Sequence, residues 1–216
     1  MKFSCSRPEL YEIVSNVSRA VSGKTSLTVL EGILIRAKGN LLSFLGYDLD
    51  LGISAQMSAQ IEEEGEIVLS AKLFVDMMRR MNGDTVIIQT DEKYLTEIKS
   101  GATEFTILGI PSDEFPEIPA VQEEQSIRLP QHLLKGMIDQ TLFAISTNDS
   151  KPVHTGSLFQ LEEGELRVVS VDGFRLALRR EKVTAEGTAQ FIIPGKTLSE
   201  MTKLLSDDEQ EQAGLF

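Results

Sequence analysis

The chain has 216 residues, 41% of them hydrophobic and 25% charged, so a packed core is expected and wholesale disorder is not. Lys and Arg number 21 against 33 Asp and Glu, and the net charge of -12 disfavours non-specific adhesion to nucleic acid or anionic membrane. A single cysteine (Cys5) excludes an intramolecular disulfide and a cysteine-rich zinc site, and two histidines (His132, His154) leave little for a metal centre or a hydrolytic triad.

In chain order, residues 1–6 alternate like a strand and lack the apolar run of a signal peptide. No later stretch approaches the roughly 18 apolar residues of a membrane span, so a cytoplasmic protein is expected. Residues 7–21 carry Leu10, Ile13, Val14 and Val17 at helical spacing, with Ser6 as N-cap and Pro8 in the first turn. Segments 31–38, 40–46 and 50–60 read as strands, the first two joined by a Lys38-Gly39-Asn40 turn. The acidic run Glu62-Glu63-Glu64 reads as a solvated loop. A strand over 65–70 runs into a helix over 71–82, and strands follow near 85–90, 94–99 and 103–109. The Pro-bearing, acidic stretch 111–123 reads as a linker. Beyond it come a strand from 125, a helix over 130–143, strands near 156–162, 165–171, 174–183 and 189–194, and a helix over 195–206.

The second series repeats the first without a gap. An offset of 124 residues makes 13 of 92 overlapping positions identical, where average composition gives roughly six by chance. Leu10/Leu134, Ala20/Ala144, Gly32/Gly156, Asp48/Asp172 and Lys72/Lys196 are among them. The apolar phase also agrees, as in Phe3/Ile127, Cys5/Leu129 and Leu69/Ile193. A fainter echo at an offset of 64 sets Ser6 on Ser70 and Leu10 on Phe74, so each unit reads as two strand–helix–strands copies. Nothing in the second unit matches residues 93–124, and its tail has a longer loop with a strand starting at Leu215-Phe216. The expected fold class is α+β, with helices on one side of antiparallel sheets. The expected domains are 1–120 and 125–216, the second stopping short of its last strands.

Motifs for catalysis are thin. Ser22-Gly23-Lys24-Thr25 ends like a phosphate-binding loop, but Ser18 stands where the leading glycine is required and a helix precedes it. Asp48 and Asp50, two apart on a strand, share a face and admit a metal pair or a turn. With Asp172 they form the only basis for an alternative reading as a metal-dependent hydrolase. Segments 7–22, 71–82, 130–144 and 195–205 carry net charges of 0, +2, 0 and +1, which leaves -15 on the remainder. Neutral-to-basic helices among acidic strands and loops can offer one basic surface to a polyanion.

Met1-Lys2-Phe3, Leu27 to Gly32, Gly46-Tyr47-Asp48-Leu49, Ala71-Lys72-Leu73-Phe74 and Pro111 to Pro116 occur in an order that, together with the repeat, resembles the bacterial DNA polymerase III beta subunits. The most specific segments are Val171-Asp172-Gly173-Phe174-Arg175-Leu176-Ala177 and Ile193-Pro194-Gly195-Lys196. The resemblance runs from Met1 to about Asp208 and implies the DNA-clamp fold: three such domains per chain, of which the third would be absent here, and two chains closing a ring around duplex DNA. It implies a non-enzymatic processivity factor without cofactor or metal. Its partners would be DNA polymerase III, the clamp loader and other proteins bearing a clamp-binding peptide. Lys24 and Lys151 match basic DNA-contacting positions of the family, and Arg79, Arg80 and Lys203 join them by chemistry. His154, Val171, Gly173, Phe174, Arg175 and Leu176 match the partner-peptide cleft, and Met77, Met81 and Phe105 lie on the matching dimer surface. A truncated clamp-like protein with only a peptide-binding or regulatory role is a further alternative.

Overall fold

The structure, a computed structural model, describes residues 1–23, 25–118, 127–148, 150–185 and 187–215. The chain divides into two units, the first ending at Ile118.

In unit one, β1 (Lys2–Ser6) runs without a loop into α1 (Arg7–Val17). Ser6 caps the helix by accepting from the Glu9 N–H, and Pro8 sits in the first turn, where no intrahelical N–H is needed. Leu10, Val14 and Val17 are the buried face. The helix is shorter than its apolar spacing suggests, because residues 18–20 tighten into a 3₁₀ turn. A second 3₁₀ turn at Thr28–Glu31 leads to β2 (Gly32–Lys38), β3 (Leu41–Tyr47) and β4 (Gly52–Ser58). Next come β5 (Gln60–Glu63), β6 (Gly65–Ser70), α2 (Ala71–Arg80), β7 (Thr85–Thr90), β8 (Leu95–Ser100) and β9 (Thr103–Leu108).

Among the described residues all pairings are antiparallel, in two sheets ordered β5-β1-β7-β8-β9 and β4-β3-β2-β6. The strand that leads each helix therefore sits in the other half's sheet: β1 beside β7, and β6 beside β2. The two inner faces and both helices bury one core that includes Phe3, Leu10, Ile35, Phe44, Ile67, Phe74 and Met78. A second cluster lies on the outer face of the four-stranded sheet, where Leu34 and Val68 pack with Val29, Leu30 and Phe115.

Unit two repeats this plan with β10 (Ile127–Pro130), α3 (Gln131–Leu142), β11 (Gly156–Glu162), β12 (Glu165–Val171), β13 (Leu176–Lys182), β14 (Ala189–Pro194), α4 (Gly195–Leu204) and β15 (Gln212–Leu215). Its sheets, among the described residues, are β13-β12-β11-β14 and β10-β15. Phe159 and Phe191 face each other across strands with stacked rings, centroids 5.6 Å apart.

The ladder registers carry the repeat further than the identities do. Gly32 opposite Ser70, Leu34 opposite Leu45 and Tyr47 opposite Gly52 recur, each 124 residues on, as Gly156 opposite Pro194, Leu158 opposite Val169 and Val171 opposite Leu176. Only the tail slips. Cys5 faces Val86 while Leu129 faces Ala213, so three extra residues separate α4 from β15. The final strand therefore starts at Gln212, three residues later than the gapless repeat places it and three before the start expected at Leu215.

Two further expectations are corrected. The single strand expected over 50–60 breaks at Ala59, and Glu62 and Glu63 belong to β5 and not to a loop. β5 shields the outer edge of β1, pairing Ser4 with Gln60. The same device reappears as single bridges, Arg128 with Thr184 in unit two and Val68 with Ile110 on β6.

Two outcomes follow. A Cβ on Gly156 would strike the Ile193 carbonyl and Ile192 Cγ2 across the β11–β14 ladder, so Gly156→Ala should lower unfolding free energy by about 1–3 kcal/mol in denaturant titration. Burial, and secondarily Glu9, push the Cys5 thiol up to about 12 from 9.0. A thiol reagent at pH 8 should label Cys5 only after unfolding, and the stability that its neutral thiol contributes should be lost as pH rises from 9.0 towards 12.

Candidate functional site

The β12–β13 connection holds the most specific sequence motif. The Asp172 carboxylate accepts the Phe174 and Arg175 backbone N–H groups at 2.9 and 3.0 Å, and its other oxygen takes the Arg175 Nε at 2.8 Å. Gly173 supplies the left-handed step at φ +94°. The two backbone N–H groups, and then the guanidinium, hold the Asp172 carboxyl below its ordinary value. The side chain of Phe174 is left fully exposed.

Unit one builds the same turn with other residues. Asp48 Oδ1 accepts the Asp50 and Leu51 N–H groups at 3.1 and 2.8 Å, and Leu49 takes the left-handed step at φ +78°. The carboxylates that suggested metal chemistry, Asp48 and Asp172, thus organise hairpin turns. Among the described residues no three His, Cys, Asp or Glu side chains cluster as metal ligands do.

Beside the unit-two turn lies an open groove of about 500 Å³, lined in part by Ile145, Asn148, Lys151, His154, Gly173, Phe174 and Arg175. The structure therefore brings Lys151 and His154, assigned by sequence to different roles, onto one rim. They are linked through a 3₁₀ turn, Pro152–His154, in which the His154 N–H donates to the Lys151 carbonyl at 2.9 Å. Val171 and Leu176 are cross-strand partners at the base of the hairpin. Phe143, at the C-cap of α3, was not singled out by sequence. Its ring lies 5.7 Å beneath the Arg175 guanidinium carbon, so Arg175 is gripped by a carboxylate and by an aromatic face. An arginine held in this way can present its remaining N–H groups to carbonyl or carboxylate oxygens with little further ordering.

Residues 1–119 match the sequence model of the DNA polymerase III beta subunit N-terminal domain, and residues 128–215 that of its central domain. The chain belongs to the DNA polymerase III beta subunit family. The beta sliding clamp of Bacillus subtilis (strain 168) is 37% identical over 220 residues, covering 97% of this chain and 58% of the relative. That of Staphylococcus aureus (strain N315) is 33% identical, covering 98% and 58%. A solved Bacillus subtilis sliding clamp superposes with a TM-score of 0.96 at 37% identity, over 99% of this chain and 59% of that one. The beta subunit from Pseudomonas aeruginosa gives 0.93 at 28%, over 99% and 59%. The chain thus spans under two thirds of the length of these clamps.

Of the cations expected at DNA, whether by the resemblance (Lys24, Lys151) or by chemistry alone (Arg79, Arg80, Lys203), Lys24 lies outside the described residues. Arg79, Arg80, Lys151 and Lys203 are exposed. Arg79 pairs with Asp76 and Lys203 with Glu200, both at 2.6 Å, and the two pairs are again 124 residues apart. Of the expected dimer residues, Met77 and Phe105 are half-buried and packed on the core, Phe105 on the edge strand β9. Met81 is a core residue instead. The helix stops at Arg80, and Met81, in extended conformation, turns inward. Leu108, on the same edge strand, is exposed.

The low carboxyl value at Asp172 gives a sign. Its contribution to the turn is present above the ordinary value of 3.8 and lost as pH falls through the lower folded value. In NMR titration the Phe174 and Arg175 amide resonances should move together with an inflection below 3.8, and Asp172→Ala should remove that inflection.

Proposed function

We propose that this chain is a sliding-clamp subunit that, in a closed ring, surrounds duplex DNA and tethers the polymerase for processive synthesis. One observation carries the reading: two consecutive clamp-type domains share ladder registers at a constant offset of 124 residues, as Leu34 opposite Leu45 and Leu158 opposite Val169 illustrate. Such repetition suits a ring assembled from equivalent arcs. No reaction chemistry is required of the protein, and the work is retention. A ring holds by topology, so DNA contacts need only be weak, mobile and salt-dependent.

Lys24, Arg79, Arg80, Lys151 and Lys203 are the proposed phosphate contacts. The carboxylates that Arg79 and Lys203 already hold favour a loose grip, since each pair must open or share its charge before meeting a phosphate. The hairpin groove, with His154, Val171, Gly173, Phe174, Arg175 and Leu176, is the proposed dock for peptides of DNA polymerase III, the clamp loader and other partners. Its exposed apolar residues supply area, and Arg175 supplies orientation. Met77 and Phe105, beside the open edge of β9, are proposed to contribute to ring closure of a homodimer at the length of the relatives. A cytoplasmic location accords with this role, and no helix among the described residues is long and apolar enough to cross a membrane.

Extended to the length of its relatives and loaded on nicked circular DNA, the protein should co-elute with the circle and be released when the circle is cut. Equal retention on linear and circular DNA, or none on either, would refute encirclement. Without a closed circle, Arg80→Ala should weaken association uniformly across sequences and reduce the slope of log affinity against log salt by about 1.

A further inference from the structure

The two units differ at the point where the chain leaves its first helix. In unit one it passes over β3 at Gly46, where a Cβ would strike the Val17 carbonyl and come within 3.2 Å of Val21 Cγ2. Only glycine admits so close an approach. The counterpart of Gly46 in unit two is Ser170, fully buried, with its hydroxyl 2.7 Å from that of Ser157, which stands in place of Ile33. A side chain at this position bars the approach that Gly46 permits.

The lost room is regained at the second helix. Ala71, which opens α2, has Gly195 as its counterpart at the start of α4, and Val21 has Ile145. A Cβ on Gly195 would strike Ile145 Cδ1 and sit 3.1 Å from the Thr155 carbonyl, so Ile145 fills the space that the missing methyl leaves. The cavities follow this exchange. In unit one, Val21 and Ser22 wall about 510 Å³ on the side of α2, with Ser70, Ala71 and Val75. In unit two, Ile145 and Ser146 wall about 500 Å³ on the side of the hairpin, with Gly173, Phe174 and Arg175. The Ser146 N–H also donates to the His154 carbonyl at 2.8 Å, so the seat of Ile145 is tied to the Lys151–His154 rim. These contacts are made wholly within unit two, by described residues.

Taking the hairpin groove as the peptide dock, as proposed above, we infer that Gly195 and Ser170 set its width by seating Ile145 against the start of α4, which makes Gly195 a positioning residue for partner recognition. A methyl on Gly195 displaces only the end of a side chain, so the fold survives the change. Alanine is also the better helix former, and stability is not the quantity that falls. Ile145 instead swings into the groove that it walls, and takes the space of a partner side chain.

In NMR of this chain with labelled isoleucine δ1 methyls, the Ile145 methyl should show a through-space contact to the Gly195 Hα, and Gly195→Ala should shift that methyl together with the Phe174 amide. The chain, extended to the length of its relatives, is then titrated onto immobilised DNA polymerase III from the source organism. Gly195→Ala should weaken binding about tenfold while the unfolding midpoint holds. Adding Ile145→Val rebuilds the Val21–Ala71 pair of unit one and should restore the affinity. Absence of the methyl contact overturns the proposal. So does binding that Phe174→Ala removes but Gly195→Ala leaves unchanged, or a loss that Ile145→Val does not repair, and each of these leaves the groove as the peptide dock. Binding that is absent in the parent, or indifferent to Phe174→Ala, overturns the dock itself and the role of Gly195 with it.

Discussion

Pairing of each helix-leading strand into the opposite sheet is the constraint on which the rest of each unit depends. β1 meets α1 at Ser6–Arg7 and β6 meets α2 at Ser70–Ala71, with no intervening loop. Fixing the strand therefore fixes the origin of the helix. With β1 beside β7 and β6 beside β2, neither half can complete a sheet alone, and the two helices are brought together over the junction. The apolar faces of α1 and α2 then share one core with both sheets, which is why Leu10, Val14, Phe74 and Met78 are all buried. The β3–β4 and β12–β13 hairpins project from this frame and differ in sequence at their tips.

Much of this frame was legible in the sequence, because the helices and the central strands have one buried face each. Leu10, Val14 and Val17 at helical spacing, and Ile33 and Ile35 at strand spacing, report their own burial. The losses share a different physics. The end of β5 was expected to be a loop because it lies at a sheet edge, where Glu62 and Glu63 face water while the strand pairs with β1. Met81 was assigned to the dimer surface by the resemblance, with the helix expected to run to residue 82, yet the helix ends at Arg80 and Met81 turns inward. In the candidate site, Asp172, Gly173 and Arg175 were readable as a motif, since a turn is local in sequence. Phe143 was not, because its meeting with Arg175 is made by tertiary packing between the end of α3 and the start of β13.

The repeat also shows which features are architectural and which are specialised. The Asp48 and Asp172 turns, the Asp76–Arg79 and Glu200–Lys203 pairs, and the Gly32 and Gly156 close approaches occur in both units, so a function belonging to one unit does not explain them. What differs is more telling. Leu49 holds the left-handed step in unit one against the steric preference of a side chain, whereas Gly173 holds it in unit two without one. The bare backbone at Gly173, with Phe174 and Arg175 next to it, makes the second hairpin the one suited to recognition.

The long reach of the β1 ladder has a consequence for synthesis. Phe3 lies between Ile61 and Ile88, so β1 must wait for residues synthesised long after it on both sides. At about 5–20 residues per second the gap to β7 amounts to something on the order of ten seconds. Through that interval Phe3 and Cys5 lack their β7 partners, although α1 can already coil. β5 arrives first and closes one edge; β7 closes the other. β1 thus stays unpaired along one edge until β7 arrives, and the acidic side chains of β5 are the first to stand beside it.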